Sequence, residues 1–295
     1  HITTINTAAT GNITVSNQID INGSGSEVAA AFAAINTNTG QATANVTGSD
    51  YTAAQLKTIN DKTTGAIVCV NKGVALSDSA SDLYDALDGI TDLTGDITVT
   101  DAPTVAQLKA INAATSGAIT LDVADDALTG SASDIAAALA GTVTAHTGTV
   151  TINDAAEVNI TATDITTINT AATGTIVVSN AIDINGSGSE VAAAFTAINT
   201  NTGNATATIT GNDYTVAQLK AINDATTGTI TLNTTNVNLS GNAADLVAAF
   251  AGTITEHTGN ITITDTPTDA QLAAIDAATT GTITVGGGGG GGGGG

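Results

Sequence analysis

The sequence predicts an α/β fold, a parallel-strand repeat solenoid (a β-solenoid with helices) built of coils of about 54 residues inside a superrepeat of 163. Three observations carry that expectation. Residues 2–65 align without a gap on residues 165–228, with 53 identities in 64 positions. A Thr-Gly or Ser-Gly step recurs along the chain, at Gly11, Gly40, Gly65, Gly95, Gly117, Gly148, Gly174, Gly203, Gly228, Gly259 and Gly281. Between these glycines lie helix signatures of two recurring kinds.

Each glycine opens a strand signal. Apolar residues stand two and four places after it, as Ile13 and Val15, Ile97 and Val99, Ile119 and Leu121, Ile230 and Leu232, and Ile261 and Ile263. Polar residues separate them, which is the period of a half-buried strand. The first helix kind reads Thr104-Val105-Ala106-Gln107-Leu108-Lys109-Ala110-Ile111 and recurs from Thr52, Thr161, Thr215 and Thr268, each 13 residues before its glycine. Thr104 with Gln107 predicts a capping box, Thr161 with Asp164 a variant of it, and Gly117 is expected to end its helix as the C-cap. The second kind starts at Ser24, Ser79, Ser131, Ser187 and Asn242 and carries an acid three places on, facing the positive end of the helix dipole. Val28, Phe32 and Ile35 form its apolar stripe. A short strand is expected before these helices, at Ile19 and Ile21, Val74 and Leu76, Ile182 and Ile184, and Val237 and Leu239. Strands that recur after helices at this spacing must run parallel, with right-handed crossovers.

The expected organisation is one continuous α/β solenoid over 1–285, with superrepeat copies 2–164 and 165–285, followed by glycines 286–295, which read as unassigned residues or a linker. His1 aligns with Asp164, inside a helix, so the 295 residues are expected to be a window on a longer array.

Composition bounds the partners. The chain has 5 Lys+Arg against 27 Asp+Glu, for a formal charge of -22, which makes nucleic acid and anionic membrane surfaces poor partners. No apolar run reaches the roughly 18 residues of a membrane span. Hydrophobic residues make up 42% but aromatic ones only 2%, which argues against a disordered acidic chain and against an aromatic-lined pocket. The single cysteine, Cys69, has no internal disulfide partner and aligns with Leu232, so it reads as a small buried hydrophobe.

The residue three after each glycine points away from the helix-covered side: Thr14, Thr43, Val68, Thr98, Thr120, Thr151, Val177, Thr206, Thr231, Thr262 and Thr284. These are expected to form a β-branched ladder spaced by about 4.8 Å. It reads as sheet propensity on a solvated face, as a packing face for another subunit, or as an array that orders water or ice. Calcium is the ligand suggested by acidic loops, with candidates Asp20, Asn22 and Glu27, their copies Asp183, Asn185 and Glu190, and the cluster Asp122, Asp125 and Asp126. Glu27 reads better as a helix-capping acid, and the Asp122 cluster as solvated charge.

No catalytic constellation stands out. His146 and His257 fall two residues before Gly148 and Gly259, as repeat residues at a turn. The Gly-Ser-Gly segments at 23–25 and 186–188 lack the Gly-Lys-Ser/Thr of a phosphate loop. No enzyme is expected.

The phrases Gly-Ser-Ala-Ser-Asp-Ile-Ala-Ala-Ala-Leu-Ala-Gly (130–141) and Val-Ala-Gln-Leu-Lys-Ala-Ile-Asn-Asp-Ala-Thr-Thr-Gly-Thr-Ile-Thr-Leu (216–232), with the near absence of Lys and Arg, resemble the giant tandem-repeat surface proteins of cyanobacteria, often described as hemolysin-type or calcium-binding. The resemblance implies export to the cell surface or extracellular matrix, with roles in sheath, adhesion or motility. The glycine-aspartate nonapeptides of calcium-dependent secreted toxins are absent from this sequence. The expected function is an extracellular structural protein that stacks or polymerises with copies of itself. The rival expectation is a binding module for glycan, calcium or ice.

Overall fold

The computed structural model describes residues 1–8 and 10–286; the glycine run from 287 onward, expected to be unassigned residues or a linker, lies outside the described residues. The chain divides into two compact units, one of His1–Leu128 with Asp134–Gly148, the other of Thr129–Ser133 with the residues from Thr149 onward.

In the first unit the order is α1 (Ile2–Ala8), β1 (Thr14–Val15), β2 (Asp20–Gly23), α2 (Gly25–Ala34), β3 (Thr37–Asn38), β4 (Thr43–Val46), α3 (Ala53–Asn60), β5 (Ile67–Cys69), β6 (Leu76–Asp78), α4 (Ala80–Ala86), β7 (Ile97–Val99), α5 (Val105–Ala114) and β8 (Ile119–Leu121). Next come β9 (Leu128–Gly130) and α6 (Ala132–Ala138). The second unit continues with β10 (Val150–Ile152), β11 (Asn159–Thr161), α7 (Ala162–Ala171), β12 (Ile176–Val178), β13 (Asp183–Gly186), α8 (Gly188–Ala197), β14 (Thr200–Asn201) and β15 (Thr206–Ile209). It ends with α9 (Val216–Ala225), β16 (Ile230–Leu232), β17 (Leu239–Gly241), α10 (Ala243–Ala249), β18 (Ile261–Ile263), α11 (Asp269–Ala278) and β19 (Ile283–Val285).

The class is α/β. Among the described residues there are eleven helices and six small parallel sheets, and no sheet closes into a barrel. In the first unit the sheets are β1-β3, β2-β4-β5 and β6-β7-β8; in the second they include β11-β13-β15-β16 and β17-β18-β19. Paired residues stand 21 to 26 positions apart, as Leu76↔Ile97 and Val150↔Ile176 illustrate. That is under half of the expected 54-residue coil. One helix lies between each pair of neighbouring strands, and such a span, one turn of the chain, carries a second short strand in places, as β2 does between β1 and β3 and β11 between β10 and β12.

Helices follow the same rule, each lying against the next: α2 on α3, α3 on α4 and α4 on α5 in the first unit, α7 through α11 in the second. Their inward stripe is apolar. In α5 the residues Val105, Leu108, Ile111 and Ala114 are buried, three apart. Strands such as β7 bury alternate residues toward that stripe, with Ile97 and Val99 buried around the half-exposed Thr98. Fully burying one Leu or Ile stabilises by about 1.5–3 kcal/mol, so the many short aliphatic contacts replace the aromatic clusters this composition lacks.

Local signals set the helix starts. Reciprocal capping boxes form at Thr52 with Gln55, Thr104 with Gln107, Thr215 with Gln218 and Thr268 with Gln271. Thr161 accepts the Asp164 N–H at 3.3 Å. The helix ends differ from expectation. Gly117 is not a left-handed cap: α5 stops at Thr115 in an extended conformation, and Gly117 is required because a Cβ there would lie 2.3 Å from the Gly95 carbonyl oxygen. Among the described residues the glycines with positive φ are Gly89, Gly141 and Gly252, which follow the short helices α4, α6 and α10.

Candidate functional site

The outward sheet faces carry the expected threonines, but not as one ladder. Thr98 stands between Ser77 and Thr120, Thr262 between Ser240 and Thr284, Thr151 beside Val177, and Thr14 beside Thr37. Thr43 and Thr206 instead face Asp20 and Asp183, while Val68 faces Asn45 and Thr231 faces Thr208. The reason is strand length. β4 and β15 have four residues, and their third residue meets the next strand, so Thr43 and Thr206 are displaced by two positions. A two-residue displacement keeps the face and changes the row. Thr14, Thr120, Thr231, Thr262 and Thr284 are exposed, and Thr43, Thr98, Thr151 and Thr206 are half-buried.

That pairing also uses the calcium candidates. The Asp20 carboxylate accepts from the Thr43 hydroxyl, and Asp183 accepts from Thr206 at 2.9 Å. Asn22 Oδ1 accepts from Asn45 Nδ2 at 2.7 Å, and Asn185 lies opposite Thr208. Glu27 Oε2 accepts the Ser24 N–H at 2.9 Å and the Ser24 hydroxyl at 3.1 Å; Glu190 repeats both bonds with Ser187 at 2.8 Å. Hydrogen bonds to the Ser24 and Ser187 backbones hold the two glutamate pKa values below the ordinary 4.5. Asp122, Asp125 and Asp126 are exposed on the loop after β8. Among the described residues no three His, Cys, Asp or Glu side chains are placed to hold a metal ion.

Most polar side chains with a defined geometry bind neighbouring turns together. The N-terminal N–H of α4, at Ala80, donates to Asp101 Oδ1 at 2.6 Å; Ala132 of α6 donates to Asp154 at 2.7 Å, and Ala243 of α10 to Asp265 at 2.8 Å. Each acceptor lies 21 or 22 residues further along. The other ends of the same helices are held from the preceding turn. Asn60 Nδ2 donates to the carbonyls of Asp85, Ala86 and Asp88, Asn112 to those of Ala137, Ala138 and Ala140, and Asn223 to those of Ala249 and Ala251. Each short helix is thus capped at both ends by side chains outside itself, satisfying groups it would otherwise leave open. Lys57 with Asp85 and Lys109 with Asp134 add ion pairs between α3 and α4 and between α5 and α6.

A second device is buried. The hydroxyls of Thr63, Thr115, Thr226 and Thr279 donate to the carbonyls of Ala42, Gly95, Ala205 and Gly259 and accept the N–H of Gly65, Gly117, Gly228 and Gly281. Each joins its turn to the one before. Tyr51 and Tyr214 act similarly, both donating at 2.7 Å to a carbonyl 20 residues on, Asn71 and Thr234. Burial pushes the Tyr214 phenol up to about 12.

The histidines expected at a turn are inside the protein: His146 is 2% exposed and His257 0%. Cys69 is buried as expected, and burial raises its thiol pKa against a smaller opposing hydrogen bond from Tyr51. Sequence reading missed the aspartate, asparagine and buried threonine locks. Their signal was the recurrence of Ile-Asn in α3, α5 and α9, of Asp after β7, β10 and β18, and of Thr two places before glycine. No known protein-family model matches the chain, and no curated protein matches it.

Proposed function

We propose that this is a structural protein of an extracellular filament, sheath or surface layer, in which each unit is a stretch of solenoid able to stack with further copies of itself. The observation that supports this reading is the triplicate lock: Ala80 with Asp101, Ala132 with Asp154, and Ala243 with Asp265. Polar side chains that in an enzyme would converge on a pocket are here distributed along the chain, with this lock at three of the five helices of the second kind, α4, α6 and α10. Such an arrangement ties each turn to its neighbours and suits a stack of similar units. Electron microscopy of native material tests it. Ordered polymers containing this chain are the expected result, and dispersed single particles would overturn it.

A second reading, an extracellular adhesion or binding module for glycan, calcium or ice, is favoured by the exposed, in-register pair Thr262 and Thr284. Thermal hysteresis and retention on a glycan array test that reading, and loss of both signals at high protein concentration would remove it.

A further inference from the structure

We propose that His257 is an acid-sensitive latch: proton uptake by its ring releases the turn carrying α11 and β19, while α7, α8 and α9 of the same unit stay packed. The ring is wholly buried. It lies edge-on to Tyr214 with centroids 6.2 Å apart and tilted on Phe250 at 5.4 Å. Nδ1 is 3.4 Å from the Tyr214 hydroxyl, which already donates to the Thr234 carbonyl, and Nε2 has no hydrogen-bond partner. A second ring proton would therefore bring a charge into an apolar site with little to receive it.

The backbone of His257 is one of the ties on the end of α11, beside the Thr279 hydroxyl on the Gly259 carbonyl and the β18–β19 pairing. Its N–H donates to the Ala278 carbonyl at 3.1 Å, and its carbonyl accepts the Thr280 N–H at 2.9 Å. Leu93 occupies the corresponding slot of the first unit, two residues before Gly95, and makes the same two bonds, to Ala114 and from Ser116. An apolar side chain thus serves this position, and packing alone does not call for a histidine.

The groups around His257 are the Tyr214 hydroxyl, the Phe250 ring, the Val237 carbonyl and the α11 end at Ala278 and Thr279, none of them a carboxylate; its neighbour Glu256 is exposed. Burial also holds His146 below its ordinary 6.5, but there Asp126 and Asp125 pull against it in favour of the charged form, a compensation His257 lacks. Burial holds the His257 imidazole below its ordinary 6.5, against a smaller upward pull from the Val237 carbonyl. The released form therefore binds the proton more tightly than the latched form. Stability of the turn is fully present above about pH 6.5 and is lost as pH falls from there toward the depressed value. Within that window the opening constant rises by up to about tenfold per pH unit.

Hydrogen exchange on the full chain, corrected for intrinsic rates, tests the latch at pH 7 and pH 5. The wild type is expected to lose protection at Ala278, Thr280 and Ile283–Val285 at pH 5 while α8 keeps its own; His257→Leu is expected to keep both, and His146→Leu to behave as wild type. Equal wild-type protection at the two pH values, or an equal loss in His257→Leu, would overturn the proposal. Should His257→Leu not fold, the ring titration followed by NMR in the wild type decides: a folded-state midpoint below 6.5 is expected, and one at or above 6.5 refutes the latch.

Discussion

Asp265 Oδ1 accepts the backbone N–H of Ala243 at 2.8 Å, so the first turn of α10 is closed by a carboxylate 22 residues further along the chain. The N-cap, Asn242, accepts the Asp245 N–H at 2.8 Å, so two of the open donors of this short helix are satisfied by different turns. The carboxylate also sits at the positive end of the helix dipole. Replacing Asp265 by Ala is expected to cost about 1 kcal/mol, as loss of a helix cap does, and Asp265→Asn should cost less because an acceptor oxygen remains. Chemical unfolding of the three proteins at neutral pH measures the order. Equal midpoints for wild type and Asp265→Ala would show that the interturn cap contributes nothing.

Asn112 gives a sharper contrast at the opposite helix end. Its amide donates to three carbonyls, Ala137 at 2.8 Å, Ala138 at 3.3 Å and Ala140 at 3.0 Å. Asn112→Ala leaves those acceptors to water and is expected to cost about 1–2 kcal/mol. Asn112→Asp places a carboxylate where only donors fit, and should be the more damaging of the two despite its similar shape. A melting-temperature series at neutral pH distinguishes them, and an Asp variant at least as stable as the Ala variant contradicts the assigned donor role.

Thr226 and Thr227 are adjacent but differ in burial. The Thr226 hydroxyl is inside, donating to the Ala205 carbonyl and accepting the Gly228 N–H at 3.0 Å, whereas Thr227 is exposed. Thr226→Val keeps the shape and strands both backbone groups, for an expected loss of about 1–3 kcal/mol; Thr226→Ser should recover most of it. Thr227→Val is expected to stay within about 0.5 kcal/mol of wild type. Equal effects at the two positions would remove the case for a buried lock.

Glu190 carries a pH dependence whose sign is fixed by its cap. Hydrogen bonds from the Ser187 backbone and hydroxyl hold its pKa below 4.5, so the folded state releases the proton more readily than the unfolded one. Its contribution is present above about pH 4.5 and is lost as pH falls through the lower folded value. Wild type should therefore exceed Glu190→Gln in stability at pH 7, with the gap closing by pH 3. A gap that persists unchanged at pH 3 would locate the effect elsewhere than in the carboxylate charge.

The elements were legible because each leaves a local mark: alternation places β7 and β8, and Thr with Gln three residues on places α5. Burial of Cys69 followed from its alignment with Leu232. What the repeat did not reveal was which rows touch. Thr43 and Thr206 have the same distance from their glycines as Thr98 has from Gly95, yet they lie opposite Asp20 and Asp183 because the third residue of β4 and β15, not the first, meets its counterpart in the next strand. Strand length is decided by what the next turn offers, which is not a local property. The Asp265 cap is hidden for the same reason: an aspartate after a strand looks like an ordinary surface acid until its partner 22 residues earlier is known.

Glycine shows the same division between local and nonlocal causes, and predicts opposite rescue patterns at two sites. Gly117 has no left-handed backbone; a Cβ there would stand 2.3 Å from the Gly95 carbonyl oxygen and 2.9 Å from the Asp96 nitrogen. Any side chain must push two turns apart, so Gly117→Ala and Gly117→Asn should both destabilise by well over 1 kcal/mol. Gly89 is the converse case, with φ +73 and nothing within 4 Å of its would-be Cβ. There the cost is conformational alone, about 1 kcal/mol for Ala and less for Asn, which tolerates the left-handed region. Unfolding midpoints for the four variants measure both patterns. If Asn rescues Gly117 as it rescues Gly89, the recurring glycines mark backbone conformation after all, and close approach between turns is not what selects them.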